Sequence, residues 1–236
     1  MLKQVSRLTL GPLARLLFRA KITGGKNVPT TGPVILASNH LSFIDSVVIT
    51  LFAPRPVCFL AKDTYFTGKG LKGFVSRTFF TGIGAIPVTR GAGQAAQEAL
   101  DAGLGLLHEG EAFAIYPEGT RSRDGRLYRG KTGVAWLALN ASVPVVPVAL
   151  TGTDKVQPIG SNSIWPAKVT IQFGEPLDLS RHGKADSGRA RRVATDEVMD
   201  AIAALSLQER AEGYNEPPAQ TFVERVRRTF RSRGEL

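Results

Sequence analysis

The 236-residue sequence predicts a single α/β domain, a mostly parallel or mixed sheet flanked by helices, preceded by an N-terminal amphipathic segment. Three observations point there. Short apolar runs bounded by Gly, Pro, Ser or Asn recur along the chain and read as buried strands, while longer stretches of helical period fall between them. The length suits one well-buried core, and an apolar content of 43% is that of an ordinary globular chain.

The ends of the chain differ from its middle. Of the formal charge of +10, residues 1–26 carry +6 without a single acid, residues 220–236 carry +3, and everything between carries +1. In residues 1–23, Leu2, Val5, Leu8, Leu13, Leu16, Leu17 and Phe18 alternate with Lys3, Arg7, Arg15, Arg19 and Lys21, an amphipathic pattern interrupted by Gly11-Pro12, which allows either one helix or two. No stretch of about 20 apolar residues could span a bilayer, and no small-residue cleavage pattern follows the segment. At about 1 kcal/mol per basic residue near an anionic leaflet, residues 1–23 are expected to hold the protein on an anionic membrane surface, peripheral or monotopic, at the cytoplasmic face of the cell membrane. The competing reading is a solvated helix packed on its own domain. Residues 216–236 are expected to form a basic, mobile tail, leaving 24–215 as the α/β domain. No nucleic-acid-binding motif accompanies the charge, which argues against nucleic acid as a partner. The one cysteine, Cys58 in Val57-Cys58-Phe59-Leu60, permits no internal disulfide, fits a reducing cytosolic setting and reads as core.

The first strand is Val34-Ile35-Leu36-Ala37, and Ser42 opens an apolar run (Val47, Val48, Ile49, Leu51) that reads as a helix. His40 therefore sits on a strand-to-helix turn. On a continuous helix, residues five apart would point about 140° away from each other. With His40 on the loop and Asp45 in the first helical turn, the two can face one another, and a carboxylate so placed fixes the imidazole tautomer and stabilises the imidazolium. The same residues fit a capping box, in which Asp45, three positions after Ser42, bonds back to the helix start. Spacing leaves both readings open.

Further strands are predicted at 56–61, 84–88, 112–116, 143–150 and 168–173, and helices at 70–80, 94–109, 132–140 and 189–207. His40, Lys62, Arg90 and Glu118-Gly119-Thr120-Arg121 each follow the end of a predicted strand. In a parallel sheet those ends share one rim, where α/β folds bind ligands. One base beside several cations suits a substrate that carries both a hydroxyl and a phosphate.

Four ordered blocks carry a family likeness: Asn39-His40-Leu41-Ser42-Phe43-Ile44-Asp45, Ile86-Pro87-Val88-Thr89-Arg90, Tyr116-Pro117-Glu118-Gly119-Thr120-Arg121-Ser122, and Val143-Pro144-Val145-Val146-Pro147-Val148. Over roughly residues 24–180 the chain resembles the glycerolipid acyltransferases, most closely the 1-acylglycerol-3-phosphate acyltransferases, which make phosphatidic acid. The second block departs from the pattern, with Pro87 and Thr89 where an aromatic and an acid usually precede the arginine. The resemblance implies that His40, oriented by Asp45, takes the proton from a free glycerol hydroxyl as that oxygen attacks an acyl thioester. It also implies that Arg90 and Arg121, with Lys62, hold the acceptor phosphate, that Gly119 and Thr120 complete this subsite, and that Glu118 orients the acceptor or an arginine. The fourth block would shape the acyl-donor wall. The implied partners are acyl-CoA or acyl carrier protein as donor and lysophosphatidic acid or a related lysolipid as acceptor, with no cofactor and no metal. Glycerol 3-phosphate or another lysophospholipid is the alternative acceptor; a catalytically silent lipid-binding protein is the alternative class.

Two motifs compete. Gly125-Arg126-Leu127-Tyr128-Arg129-Gly130-Lys131-Thr132 matches the P-loop expression, but its first glycine does not directly follow a strand and Leu127-Tyr128-Arg129 is bulky for a phosphate cradle, so a nucleotide hydrolase is disfavoured. Lys131 is nonetheless placed near the rim. Gly68-Lys69-Gly70-Leu71-Lys72-Gly73 matches a dinucleotide fingerprint without the strand or the acid that should accompany it, and reads as a flexible basic turn. His108 and His182 read as structural or solvated, and three histidines this far apart offer no metal-ligand spacing.

Overall fold

The computed structural model describes residues 2–89 and 93–216. In chain order its elements are α1 (Leu2–Leu17), β1 (Lys21–Thr23), β2 (Val34–Ser38), α2 (Asp45–Phe52), β3 (Val57–Lys62), α3 (Gly70–Gly82), β4 (Ala85–Val88), α4 (Gln94–His108), β5 (Ala112–Ile115), β6 (Leu127–Arg129), α5 (Gly133–Ala141), β7 (Val145–Thr151), α6 (Thr153–Val156), β8 (Thr170–Phe173), α7 (Gly188–Ser206) and β9 (Arg210–Tyr214).

Strand β2 forms because it is apolar on both sides, and it is buried on both sides. Val34 and Leu36 belong to one core cluster with α1, α2 and α3, whereas Ile35 and Ala37 belong to the other with α4, α5 and α7. Val34, Ile35 and Leu36 each contribute about 1.5–3 kcal/mol on full burial, so Leu36→Ala would cost about 2–5 kcal/mol once the cavity is included. Continuous burial of this kind is what a parallel strand covered by helices on both faces requires.

The main sheet has the order β1-β8-β7-β2-β5-β3-β4. Strands β7, β2, β5, β3 and β4 run parallel, with Leu36 opposite Ala114 on one side and Val146 on the other. Strand β8 is antiparallel to β7, and β1 follows β8. The connection after β2 runs through α2 in one core cluster and that after β5 through α5 in the other, so these neighbouring strands send their connections to opposite faces of the sheet. This divergence opens a crevice at their carboxyl ends.

The architecture corrects some expectations and agrees with others. Pro12 lies inside a continuous α1. It removes the amide that would bond Leu8, a residue on the exposed side, while Ala14 and Phe18 hold the opposite side in the core. Lys21–Thr23, inside the expected 1–23 segment, is an edge strand of the sheet. Helix α2 begins at Asp45 rather than Ser42. Within the glycine fingerprint only Gly68 and Lys69 lie outside a helix, Lys69 being the extended N-cap of α3. The rest enters α3, and a side chain on Gly73 would collide with the Gly68 carbonyl at 1.9 Å. In the P-loop expression, Leu127–Arg129 is strand β6, paired with β9 in a second small sheet, which leaves no phosphate-cradling loop there. Neither short strand shows the alternation that would have betrayed it in the sequence.

Candidate active site

His40 sits just past the carboxyl end of β2, on the crevice side of the sheet. Its backbone is fixed at both ends: the amide donates to Glu118 Oε1 at 3.0 Å, and the carbonyl accepts from the Ser122 amide at 2.7 Å. The preceding residue anchors the turn to β7, since the Asn39 side chain donates to the Leu150 carbonyl at 2.9 Å and accepts the Leu150 amide at 2.8 Å. Ser42 Oγ donates to the Gln157 carbonyl at 2.6 Å.

The side chain is equally constrained. His40 Nδ1 lies 2.8 Å from Asp45 Oδ2, and that oxygen also accepts the amides of Leu41 at 2.7 Å and Ser42 at 2.8 Å. One oxygen atom thus meets the imidazole and holds the turn that leads into α2, whose N-cap, Ile44, has no side-chain cap. Because a carboxylate accepts, Nδ1 carries the proton and Nε2 is left as the proton acceptor. Asp45 is fully buried, while His40 keeps 13% of its side chain exposed. The Tyr116 ring stacks on the imidazole with centroids 3.9 Å apart and planes at 13°, and its hydroxyl is 2.8 Å from Ser46 Oγ on α2.

Glu118 stands elsewhere than the resemblance implied. It is fully buried, with Oε1 on the His40 amide and Oε2 accepting the Tyr128 amide at 3.0 Å. It ties the β2 turn to β6 and does not reach outward to a ligand. Burial pushes its carboxyl up to about 7, against the two backbone amides, which favour the ionised form; Asp45 and Asp124 add to the rise.

The other expected residues surround this centre. Strands β2, β5 and β3 end on one edge, so Lys62, the exposed last residue of β3, lies two strands from β2, about 10 Å at ordinary strand spacing. Gly119 and the exposed Arg121 lie on the loop after β5, and the Thr120 carbonyl accepts from Asn215 Nδ2 at 3.2 Å. Gly119 has φ of +75°, and a Cβ there would meet Lys131 Nζ at 3.0 Å. Lys131 thus crosses Gly119 and joins the cations of the rim, its amide donating to the Pro117 carbonyl at 2.7 Å. Arg90 lies outside the described residues. Sequence reasoning missed Tyr116 as a partner of His40, because the stack joins positions 76 residues apart with no local signature.

The arrangement can do one kind of chemistry readily. An imidazole with a buried carboxylate behind it, at a strand edge that also carries lysine and arginine, can take a proton from a hydroxyl on an anionic substrate.

Comparison with known proteins gives the same direction. Residues 19–151 match the family described as Acyltransferase. The chain is 32% identical over 148 residues to the 1-acyl-sn-glycerol-3-phosphate acyltransferase BAT2, chloroplastic, of Brassica napus, covering 62% of this chain and 41% of that protein. It is likewise 32% identical over 166 residues to the corresponding LPAT1, chloroplastic, of Arabidopsis thaliana, covering 70% and 45%. The matched part therefore spans less than half the length of these two plant relatives. The crystal structure of the 1-acyl-sn-glycerophosphate (LPA) acyltransferase PlsC from Thermotoga maritima aligns with a TM-score of 0.64 at 26% identity, covering 86% of this chain and 79% of that one.

Proposed function

Because the chain belongs to the acyltransferase family, we propose that it transfers a fatty acyl group from an acyl thioester to the free hydroxyl of 1-acylglycerol 3-phosphate, giving phosphatidic acid. The observation that carries this reading is the 2.8 Å contact of His40 Nδ1 with the buried Asp45 carboxylate at the mouth of the β2–β5 crevice.

In the proposed reaction the acceptor hydroxyl attacks the thioester carbonyl while His40 Nε2 takes its proton. The imidazolium is stabilised by Asp45, and the tetrahedral intermediate collapses with cleavage of the carbon–sulfur bond. His40 then returns the proton to the departing thiolate, so the products are the ester and a free thiol. The acceptor supplies the nucleophile, and no enzyme serine or cysteine is needed. Tyr116 holds the imidazole plane, and Glu118 holds the backbone of His40 in place. Arg121 and Lys131, with Lys62 and Arg90, receive the acceptor phosphate through charge-assisted hydrogen bonds. The donor is proposed to be acyl-CoA or acyl carrier protein, and residues 1–23 to contact an anionic membrane at its cytoplasmic face.

The test is release of free thiol by purified protein with added anionic lipid, from palmitoyl-CoA and then from palmitoyl-acyl carrier protein. Turnover that requires 1-acylglycerol 3-phosphate is the expected result. Turnover with glycerol 3-phosphate instead would change the acceptor and keep the mechanism, and silence with every donor and acceptor would overturn the reading.

A further inference from the structure

Large apolar side chains left exposed concentrate on three elements. Helix α1 presents Leu8, Leu13 and Leu16; α3 presents Leu71, 77% exposed, with Phe74 and Val75; the loop before β8 presents Ile164 and Trp165, the latter 59% exposed.

These elements converge on the edge of the sheet that bears His40. The loop leaves α6 beyond the carboxyl end of β7, and its first residue, Gln157, accepts the Ser42 hydroxyl of the catalytic turn. It ends at Val169, whose amide donates to the Phe18 carbonyl at 3.0 Å, directly after α1. Lys21 pairs with Thr170 at the start of β8, so the carboxyl-terminal end of α1 reaches the same edge. Helix α3 begins soon after Lys62 at the carboxyl end of β3, and α1 packs against it.

Charge identifies the occupant. Neither α1, nor α3, nor residues 157–169 contain a carboxylate, while they carry Lys3, Arg7, Arg15, Lys72, Arg77 and Lys168. A second copy laid face to face would set cations against cations. An anionic bilayer matches both the apolar side chains and the charge, and an amphipathic indole is suited to its headgroup layer.

We propose that the Ile164-Trp165 loop and the outward face of α3 dock on an anionic bilayer alongside α1, setting the His40 rim at headgroup depth. This rests on the proposal that residues 1–23 meet a membrane, and extends it to two elements distant in sequence. A lysolipid could then present its phosphate to the rim with its acyl chain still in the bilayer.

The experiment uses Trp136→Phe protein, in which Trp165 is the one remaining indole, with vesicles of phosphatidylcholine with and without phosphatidylglycerol. Binding that requires the anionic lipid, a blue shift of Trp165 emission and its quenching by brominated acyl chains are expected. Trp165→Ser and Leu71→Ser, made separately in the otherwise unaltered chain, should each weaken vesicle flotation at least about fivefold, the scale of burying a large apolar side chain. Vesicle binding with Trp165 emission unshifted and unquenched would overturn the extension and leave docking through α1 alone. Absence of any vesicle binding would overturn the membrane proposal itself. A blue shift produced by raising protein concentration without lipid would mean that a second copy covers the loop, and would overturn the bilayer as occupant.

Discussion

Asp45 Oδ2 contacts His40 Nδ1 at 2.8 Å and at the same time accepts the amides of Leu41 and Ser42, so one oxygen atom both meets the imidazole and holds the turn between β2 and α2. Chemistry and local stability are coupled through it.

Asp45→Asn should therefore lower kcat by about 10²–10⁴, because the amide no longer enforces the tautomer. It should also destabilise the protein by about 1–2 kcal/mol through the weakened hydrogen bonds to the Leu41 and Ser42 amides. His40→Ala leaves the turn amides on Asp45 but removes the ring stack and a partner of the buried carboxylate, so it should abolish turnover at a stability cost of about 1–3 kcal/mol. Paired kinetics and urea unfolding of the two variants separate the roles.

Glu118 predicts a pH signature. Its folded-state pKa of about 7 lies above the ordinary 4.5. Between those values the folded protein binds more protons than the unfolded chain, so its stability falls as pH rises from about 4.5 to about 7, by on the order of 3 kcal/mol, and is level above. In Glu118→Gln this contribution is absent. The Tm of the wild-type protein minus that of the variant should be more positive at pH 5 than at pH 8; a difference independent of pH would contradict the assignment.

The stack of Tyr116 on His40 separates ring from hydroxyl. Tyr116→Phe keeps the stacked face and loses the hydroxyl with its contact to Ser46, so kcat should stay within about threefold. Tyr116→Leu loses the flat face, worth about 0.5–1.5 kcal/mol in aromatic pairs, and kcat should fall roughly tenfold as the imidazole gains freedom. Stopped-flow acyl transfer at saturating acceptor is the measurement.

Part of this site was legible before any coordinates. Continuous burial wrote β2 into the sequence, and a turn after it placed His40 and Asp45 within reach of each other. Parallel pairing then set Lys62 and the Glu118–Arg121 stretch on the same edge, as expected from strand ends alone. What pattern could not reveal were contacts that jump along the chain: Tyr116 onto His40, Glu118 onto two backbone amides, Lys131 across Gly119. The Pro12 helix shows the other limit, because burial of Ala14 and Phe18 outweighs a local breaker whose effect sequence alone leaves open.

Cations at the rim should affect binding more than chemistry. Arg121→Ala and Lys131→Met should each raise KM for the phosphorylated acceptor about tenfold, with kcat changed less. Gly119→Ala should do the same indirectly, since a Cβ at φ of +75° is strained and displaces Lys131. Acceptor-dependence curves at fixed donor distinguish these from the Asp45 and Tyr116 effects.

The most direct measurement of the central claim is thiol release from palmitoyl-CoA with 1-acylglycerol 3-phosphate on anionic vesicles, comparing wild-type protein with folded His40→Ala of matched vesicle binding. Acceptor-dependent release that falls at least about 10³-fold in the variant is the result predicted for a general base. Release that persists in His40→Ala would contradict the assignment of His40 and, with it, the mechanism.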